Sequence, residues 1–517
     1  MRIKNSMRNM IYVYASTLVL AILNLVVRRF FLDVLTVDYL GYDGLFTSIF
    51  SFLNLSEMGI ASIITYHMYS EISSNNTLQI RKLLCIYKTI YRIVGLFVLV
   101  MGMIVSLFIP FILKNSKAND SWLFIYTIYF LQLLATLCTY FLAYRRILFI
   151  THQRIYVCTV VDTTINLITI ILKMVVLIYT RNYILYLLVS IANNVLTNTI
   201  IAVKSRKEYS EITPISVGKE DYKALNLFHD IKNMMATKIA GTIYGSSDDI
   251  VITLILGIDS NGLINNYRMI SAKLQELIIS IFTSLQASIG NLVYDNDKDK
   301  SIAFFKCLDL AGFLMGLVSA TGVITVGQQF IILWLKKDEF LLPYSFLILL
   351  AANIFIAICN NPMNYFRNSF GHFETDRNYM IAAAVVNVIL SVVLCKPLGL
   401  TGIMIGTVAG HLLIFAGRTI VVYKYFVDDT PVKYLVTFIM RSILLAVTAV
   451  LSVMMSKLIY SYVGSTIIAF ILSGLNSLII AGLGFVITNY RSPAFKTLGA
   501  YISKVGSIVK EKLSNNS

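Results

Sequence analysis

LGYDGL at Leu40–Leu45 returns as LGIDSNGL at Leu256–Leu263. Two further pairs repeat at nearly the same distance. RNM (Arg8–Met10) corresponds to KNM (Lys232–Met234), and THQRIY (Thr151–Tyr156) to ETDRNY (Glu374–Tyr379). In chain order the offsets are 224, 218 and 223 residues. Three ordered matches at nearly one offset read as a duplication. Each copy of the first motif closes one long apolar run and opens the next, so the repeat is one of apolar spans.

Outward from these motifs, apolar runs alternate with short polar breaks. The spans are 9–33, 41–70, 86–113, 121–148, 154–180, 182–203, 229–257, 262–293, 301–335, 341–368, 378–396, 400–423, 432–457 and 463–489. Each is close to or above the roughly 20 residues that cross a bilayer. Composition agrees. Charged residues make up 14% of the 517, against about a quarter in soluble domains, and 57% are hydrophobic. A soluble protein this apolar cannot cover its surface, which excludes a water-soluble enzyme; a disordered chain is excluded for the same abundance. The prediction is an all-α integral membrane protein with about 14 transmembrane helices. Two pseudo-symmetric six-helix lobes are followed by two C-terminal helices. The expected divisions are 1–208 (helices 1–6), a cytoplasmic linker at 209–228, 229–425 (helices 7–12), 426–490 (helices 13–14) and a cytoplasmic tail at 491–517. Six spans, an even number, separate the copies, so both lobes share one orientation and a pseudo-two-fold axis runs along the membrane normal.

The apolar run Met10–Val27 is too long for a signal-peptide core and lacks a cleavage site, so it reads as a retained first helix. With the N-terminus inside, roughly 29 basic residues fall in cytoplasmic breaks and about 7 outside, which sets both termini in the cytoplasm. The net charge of +16 is explained in this way rather than by nucleic acid, because no basic run is interleaved with stacking aromatics. Six scattered cysteines and five unclustered histidines offer no metal or redox spacing. No phosphate-binding loop, GxSxG or HExxH occurs, so no catalytic residue, metal or cofactor is expected.

Ionisable groups inside spans are expensive, so their places are informative. Span 7 aligns Lys238, Thr242, Gly245 and Asp248/Asp249 at helical spacing. Span 8 carries Arg268, Ser271, Lys273, Gln275 and Glu276. Span 1 has Asn24 and Arg28 at i,i+4; span 2 has Thr47, Ser51 and Asn54, with Glu57 nearby. These are the first two spans of each repeat, and a pseudo-symmetric bundle brings them around a polar central cavity. Arg28, Lys238, Arg268 and Lys273, with Asn24, Asn54 and Gln275, suit an anionic headgroup and sugars. Glu57, Asp248, Asp249 and Glu276 can neutralise those bases or carry a coupling H⁺ or Na⁺. Other readings stand beside these. Arg28 can snorkel to the interface, Lys273–Glu276 can be a structural pair, Asp248/Asp249 can face outer water, and the span 2 stripe can pack helices. Asp162, Lys173 and Asp309 are read as structural, as is the GxxxG run through Gly402, Gly406 and Gly410.

The segment LGYDGLFTSIFSFLNLSEMGIASIITYHMY (40–69) and NYFRNSFGHFETDRNY (364–379), with the span count and charged faces, resemble the multidrug/oligosaccharidyl-lipid/polysaccharide exporter superfamily, and within it Wzx-type polysaccharide flippases. The resemblance implies alternating-access transfer of an undecaprenyl-diphosphate-linked oligosaccharide across the bacterial cytoplasmic membrane. The diphosphate would be attracted by Arg28, Lys238, Arg268 and Lys273. It also implies a monomer acting with membrane lipid, a polysaccharide polymerase and glycosyltransferases. A drug or cation antiporter of the same fold and a lipid II flippase are alternatives. A polymerase fits less well, since no long external loop is present.

Overall fold

The computed structural model describes residues 2–54, 60–116, 120–218, 227–294, 298–370 and 373–500. Among them the secondary structure is helical: α1 (Arg2–Val34), α2 (Val37–Leu53), α3 (Ile60–Ser73), α4 (Thr77–Ser106), α5 (Ile109–Ile112), α6 (Trp122–Leu142), α7 (Arg146–Thr151), α8 (Ile155–Thr180) and α9 (Tyr183–Glu208). There follow α10 (Leu227–Leu256), α11 (Ile258–Tyr294), α12 (Lys298–Leu335), α13 (Tyr344–Phe370), α14 (Phe373–Leu398), α15 (Leu400–Val422), α16 (Pro431–Tyr462) and α17 (Thr466–Asn489). Among the described residues, eleven helical stretches are long and apolar enough to cross a membrane. The expected spans outside that set are the first, second and eighth, on α1, α2–α3 and α11.

Helix ends follow local chemistry. Between α8 and α9 the chain reverses over Arg181, left-handed at φ 50°, and Asn182, whose side chain accepts from the backbone N–H of Ile184 at 2.9 Å. Ser121 caps α6 in the same way, through the N–H of Phe124 at 3.3 Å. α10 and α11 are parted by Gly257 alone, at φ +98°, a conformation open to glycine and costly for other residues.

Two compact units are present. The first comprises Met1–Met269 with Val388–Ile403, the second Ile270–Asn387 with Met404–Ser517. In the first, α1 packs on α8, α6 and α8 on α9, and α2 on α10. The beginning of the expected linker is docked onto this unit. Buried Arg145 donates to Ser205 Oγ and to the carbonyl of Ile212, both at 3.3 Å, and Arg81 donates to the carbonyl of Thr213 at 2.9 Å. Tyr209 covers His152, ring to ring at 4.5 Å. Residues 219–226 of the linker and 501–517 of the tail lie outside the described residues.

Within the first unit, α2 crosses the start of α11 through a reciprocal pair of glycines. A Cβ on Gly41 would strike the carbonyl oxygen of Ile258, and a Cβ on Gly262 the carbonyl oxygen of Val37. Asn265 Nδ2 donates to the Leu40 carbonyl at 3.0 Å, and Asn261 Nδ2 to that of Gly41 at 3.3 Å. The matched positions differ by 221 residues, Val37 to Ile258 and Gly41 to Gly262. Both helices open with a β-branched residue and an aspartate, Val37-Asp38 and Ile258-Asp259. The structural register thus pairs Gly262 with Gly41, where the motif match had set it against Gly44.

In the second unit α16 turns apolar side chains outward and hydroxyls inward. On α16, Thr448, Ser452 and Ser456 are buried while Val447, Val450 and Met454 are exposed. Thr325 donates to Ser452 at 2.9 Å and Ser456 to Ser473 of α17 at 2.8 Å, joining α12, α16 and α17. Small hydroxyl residues allow close approach where surrounding lipid supplies no hydrophobic drive. Asp309 of α12 pairs with Arg441 of α16 at 2.7 Å and accepts from Tyr434 at 2.5 Å. Around this network lie Phe305, Phe313, Phe355, Phe415 and Phe438.

Candidate functional site

Two charged clusters lie inside the first unit. One is built on α10, where Asp248 and Asp249 follow in sequence and both meet Arg268 of α11. Arg268 pairs with Asp249 and, at 3.3 Å, with Asp248. Ser48 of α2 donates to Asp249, and Ser391 of α14 to Asp248 at 3.4 Å. Two carboxylates share one guanidinium and are nearly inaccessible, at 4% and 7% exposure. Fully ionised, the triad carries one negative charge in excess. One proton or one monovalent cation balances it.

The second cluster surrounds a cavity of about 290 Å³ between α2, α6, α8 and α9. Asp43, Thr47, Ser51 and Asn54 enter it from α2; Gln132 and Thr136 from α6; Lys173 from α8; Tyr186 and Ser190 from α9. Gln132 donates to Asp43 at 3.1 Å. The Lys173 ammonium lies 4.5 Å from the centre of the Tyr186 ring, a cation–π contact. A smaller cavity of about 80 Å³ shares Asp43 and Tyr186 and adds Asn24 and Arg28 of α1. Arg28 Nη1 is buried without a hydrogen-bond partner among the described residues. Asp43 interacts electrostatically with both Arg28 and Lys173. Phe31 and Tyr183 wall this side, and Tyr39 stacks on Tyr183 at 4.9 Å. The cluster holds two bases and one acid, an excess of one positive charge.

The residues singled out from sequence are distributed as follows. Arg28, Asn24 and Asn54 border the two cavities, Asn24 also bonding its own helix at the Leu20 carbonyl (2.7 Å) and Asn54 accepting from Tyr140 (2.7 Å). Arg268, Asp248 and Asp249 form the triad. Lys238 is exposed on α10. Lys273, Gln275 and Glu276 belong to the second unit; Lys273 pairs with Glu276 at 2.7 Å and Gln275 donates to Ser271 at 2.9 Å. Glu57 lies outside the described residues. Asp162 is ion-paired with Arg146 at 2.5 Å, and Asp309 with Arg441. Lys173, grouped with them by sequence, differs: among the described residues it has no ion pair, and it faces the cavity. Asp43, Gln132 and Lys173 are the site residues that sequence reasoning passed over. The available signal was Lys173 as the lone base in ITIILKMVVLIY (168–179). Asp43 was hidden inside a motif read as a helix break.

Comparison with solved structures shows the fold. The chain is similar to the lipid II flippase MurJ in an inward closed conformation (TM-score 0.64, 12% identity, 92% of this chain and 98% of that one). It is similar to an inward-facing multidrug resistance MATE family transporter of the MOP superfamily (0.61, 13%, 78% and 95%). It is also similar to a MOP superfamily transporter from Pyrococcus furiosus described as having a binding pocket of reverse polarity (0.53, 13%, 80% and 94%). No curated protein matches in sequence. The family model "Polysaccharide biosynthesis protein" matches residues 6–285, more than half of the chain, from within α1 through α10 and most of α11, and so includes the charged residues of both clusters. The chain is a multi-pass membrane protein of the polysaccharide biosynthesis family, with the fold of the MOP superfamily.

Proposed function

We propose that the protein is a flippase that moves an undecaprenyl-diphosphate-linked oligosaccharide from the inner to the outer leaflet of the bacterial cytoplasmic membrane, by alternating access. The observation that carries this reading is the polar, positively biased cavity inside a membrane-spanning unit of a polysaccharide-family chain. An excess cation there is costly unless an anionic ligand meets it. Arg28, with a buried nitrogen lacking a partner, is the first contact for a diphosphate; planar guanidinium matches phosphate geometry. Arg268 is committed to Asp248 and Asp249 in this conformation, and reaches a headgroup only after a proton or Na⁺ releases it. That exchange is a coupling step in which ligand and ion share one guanidinium. The lipid tail stays in the bilayer, both termini stay in the cytoplasm, and the monomer works beside a polymerase and glycosyltransferases.

The test is a deletion strain, in which surface polysaccharide and the cytoplasmic-facing pool of lipid-linked oligosaccharide are measured together. The expected result is loss of surface polymer with accumulation of complete repeat units inside. Unchanged polymer with altered efflux of cationic dyes would replace the reading by a drug antiporter. Stalled peptidoglycan precursor would replace it by a lipid II flippase, and single units on the outer face by a polymerase.

A further inference from the structure

The larger cavity has a chemistry of its own, separate from headgroup capture. Most of its hydroxyl groups have already donated their protons within their helices. Ser51, Thr136 and Ser190 bond the carbonyls four residues back, at 2.9, 3.0 and 3.3 Å. Toward the cavity they offer lone pairs, as does the carboxylate of Asp43. A lining rich in acceptors calls for a ligand rich in O–H donors. Against these stands one strong donor, the Lys173 ammonium, without a carboxylate partner. The Tyr186 ring is beside it. The volume is at the small end for ligand pockets and equals roughly ten waters, which suits one or two sugar rings and not a whole oligosaccharide.

We propose that this cavity is a saccharide subsite for an acidic sugar: Lys173 takes the sugar carboxylate, Asp43 and neighbouring hydroxyls accept from ring hydroxyls, and Tyr186 packs on the ring face. The proposal rests on the flippase reading and deepens it by naming a component of the cargo. The choice of an acidic sugar follows from Lys173 itself: it lines the cavity with no ion pair among the described residues, and a sugar carboxylate supplies its counter-charge without displacing Gln132 from Asp43. Lys173 is then a specificity-determining residue. It selects among repeat units, while Arg28, at the smaller cavity, is left to the phosphate that all such carriers share.

The experiment uses the full chain purified in detergent, with saturation-transfer NMR on three probes: glucuronate, glucose and inorganic pyrophosphate. Glucuronate is expected to bind at least about tenfold more tightly than glucose, the scale of one hydrogen bond to a charged group. Lys173→Gln should abolish that preference; Lys433→Gln, exposed in the first turn of α16, should leave the binding of both sugars unchanged. Asp43→Asn should weaken both sugars together. Thermal unfolding of each variant shows that it is folded. Three results would overturn the subsite: no sugar signal from folded protein, a preference that survives Lys173→Gln, or glucuronate displaced from Lys173 by pyrophosphate at equal concentration. The deletion strain reads the flippase assignment independently, so internal accumulation there with no glucuronate binding here removes the subsite alone.

Discussion

Arg268 shows how much one side chain can be asked to hold. It answers two carboxylates, each nearly buried. Arg268→Gln leaves both without a counter-charge and is expected to destabilise the fold by about 3–5 kcal/mol. Asp249→Asn should be far milder, because Asp248 and Arg268 still neutralise each other. Combining the two changes should recover part of the loss, a coupling that a double-mutant cycle on thermal unfolding in detergent measures directly. An Arg268→Gln protein as stable as the parent would remove the triad as a structural unit. At this scale the sequence was partly legible. Helical spacing put Asp248, Asp249 and Arg268 on polar faces, but periodicity along a helix holds no information about which helix it meets. Lys173 and Asp162 looked alike for that reason: both are single charges on the apolar α8. What meets the charge, the Arg146 guanidinium for one and the Tyr186 ring for the other, comes from a different segment.

At the level of elements, the crossing of α2 and α11 depends on the absence of two side chains. Leucine at Gly41 or at Gly262 would drive a β-carbon into the opposing backbone, which side-chain rotation cannot relieve. Either substitution should force the helices apart and lose the Asn261 and Asn265 hydrogen bonds. The expected outcome is faster labelling of a cysteine introduced at Tyr39 by a membrane-impermeant maleimide. Unchanged labelling in both leucine variants would show that the crossing tolerates the bulk. The spans themselves were readable from hydropathy, since lipid demands a long apolar run wherever a helix crosses. The register of the repeat was legible only to within three residues. Glycines punctuate the sequence at several places, and only contact with Ile258 and Val37 identifies which of them is the close approach.

Across the whole molecule, the last two helices are integral to the second unit. Truncation after Val427 would remove Arg441 and Tyr434 from Asp309 and leave Thr321 and Thr325 of α12 facing lipid. Such a chain should reach the membrane in much lower amounts and be cleaved at protease concentrations the full chain resists; equal yield and resistance would make α16 and α17 an appendage. Sequence reading set this pair outside the repeat but gave no sign of what it joined. Hydroxyls buried in a span and hydroxyls facing a cavity have the same one-letter code. The same limit applied to the cavity: its composition was visible as scattered polar letters on four spans, and its enclosure was not.

The reciprocal glycine contact bears on ancestry. A surface that meets its own image across a two-fold axis can be made by one sequence before any fusion of halves, because each copy supplies both sides of the joint. In such a dimer of identical chains, one glycine would have served at two places and one harmful substitution would have struck twice. Joining the halves into a single polypeptide frees the two sides. Val37-Asp38 and Ile258-Asp259 still resemble each other where backbone meets backbone, while Tyr39-Leu40 and Ser260-Asn261, within the same two helices, no longer do. The joint is the part of the molecule that had least freedom to become asymmetric.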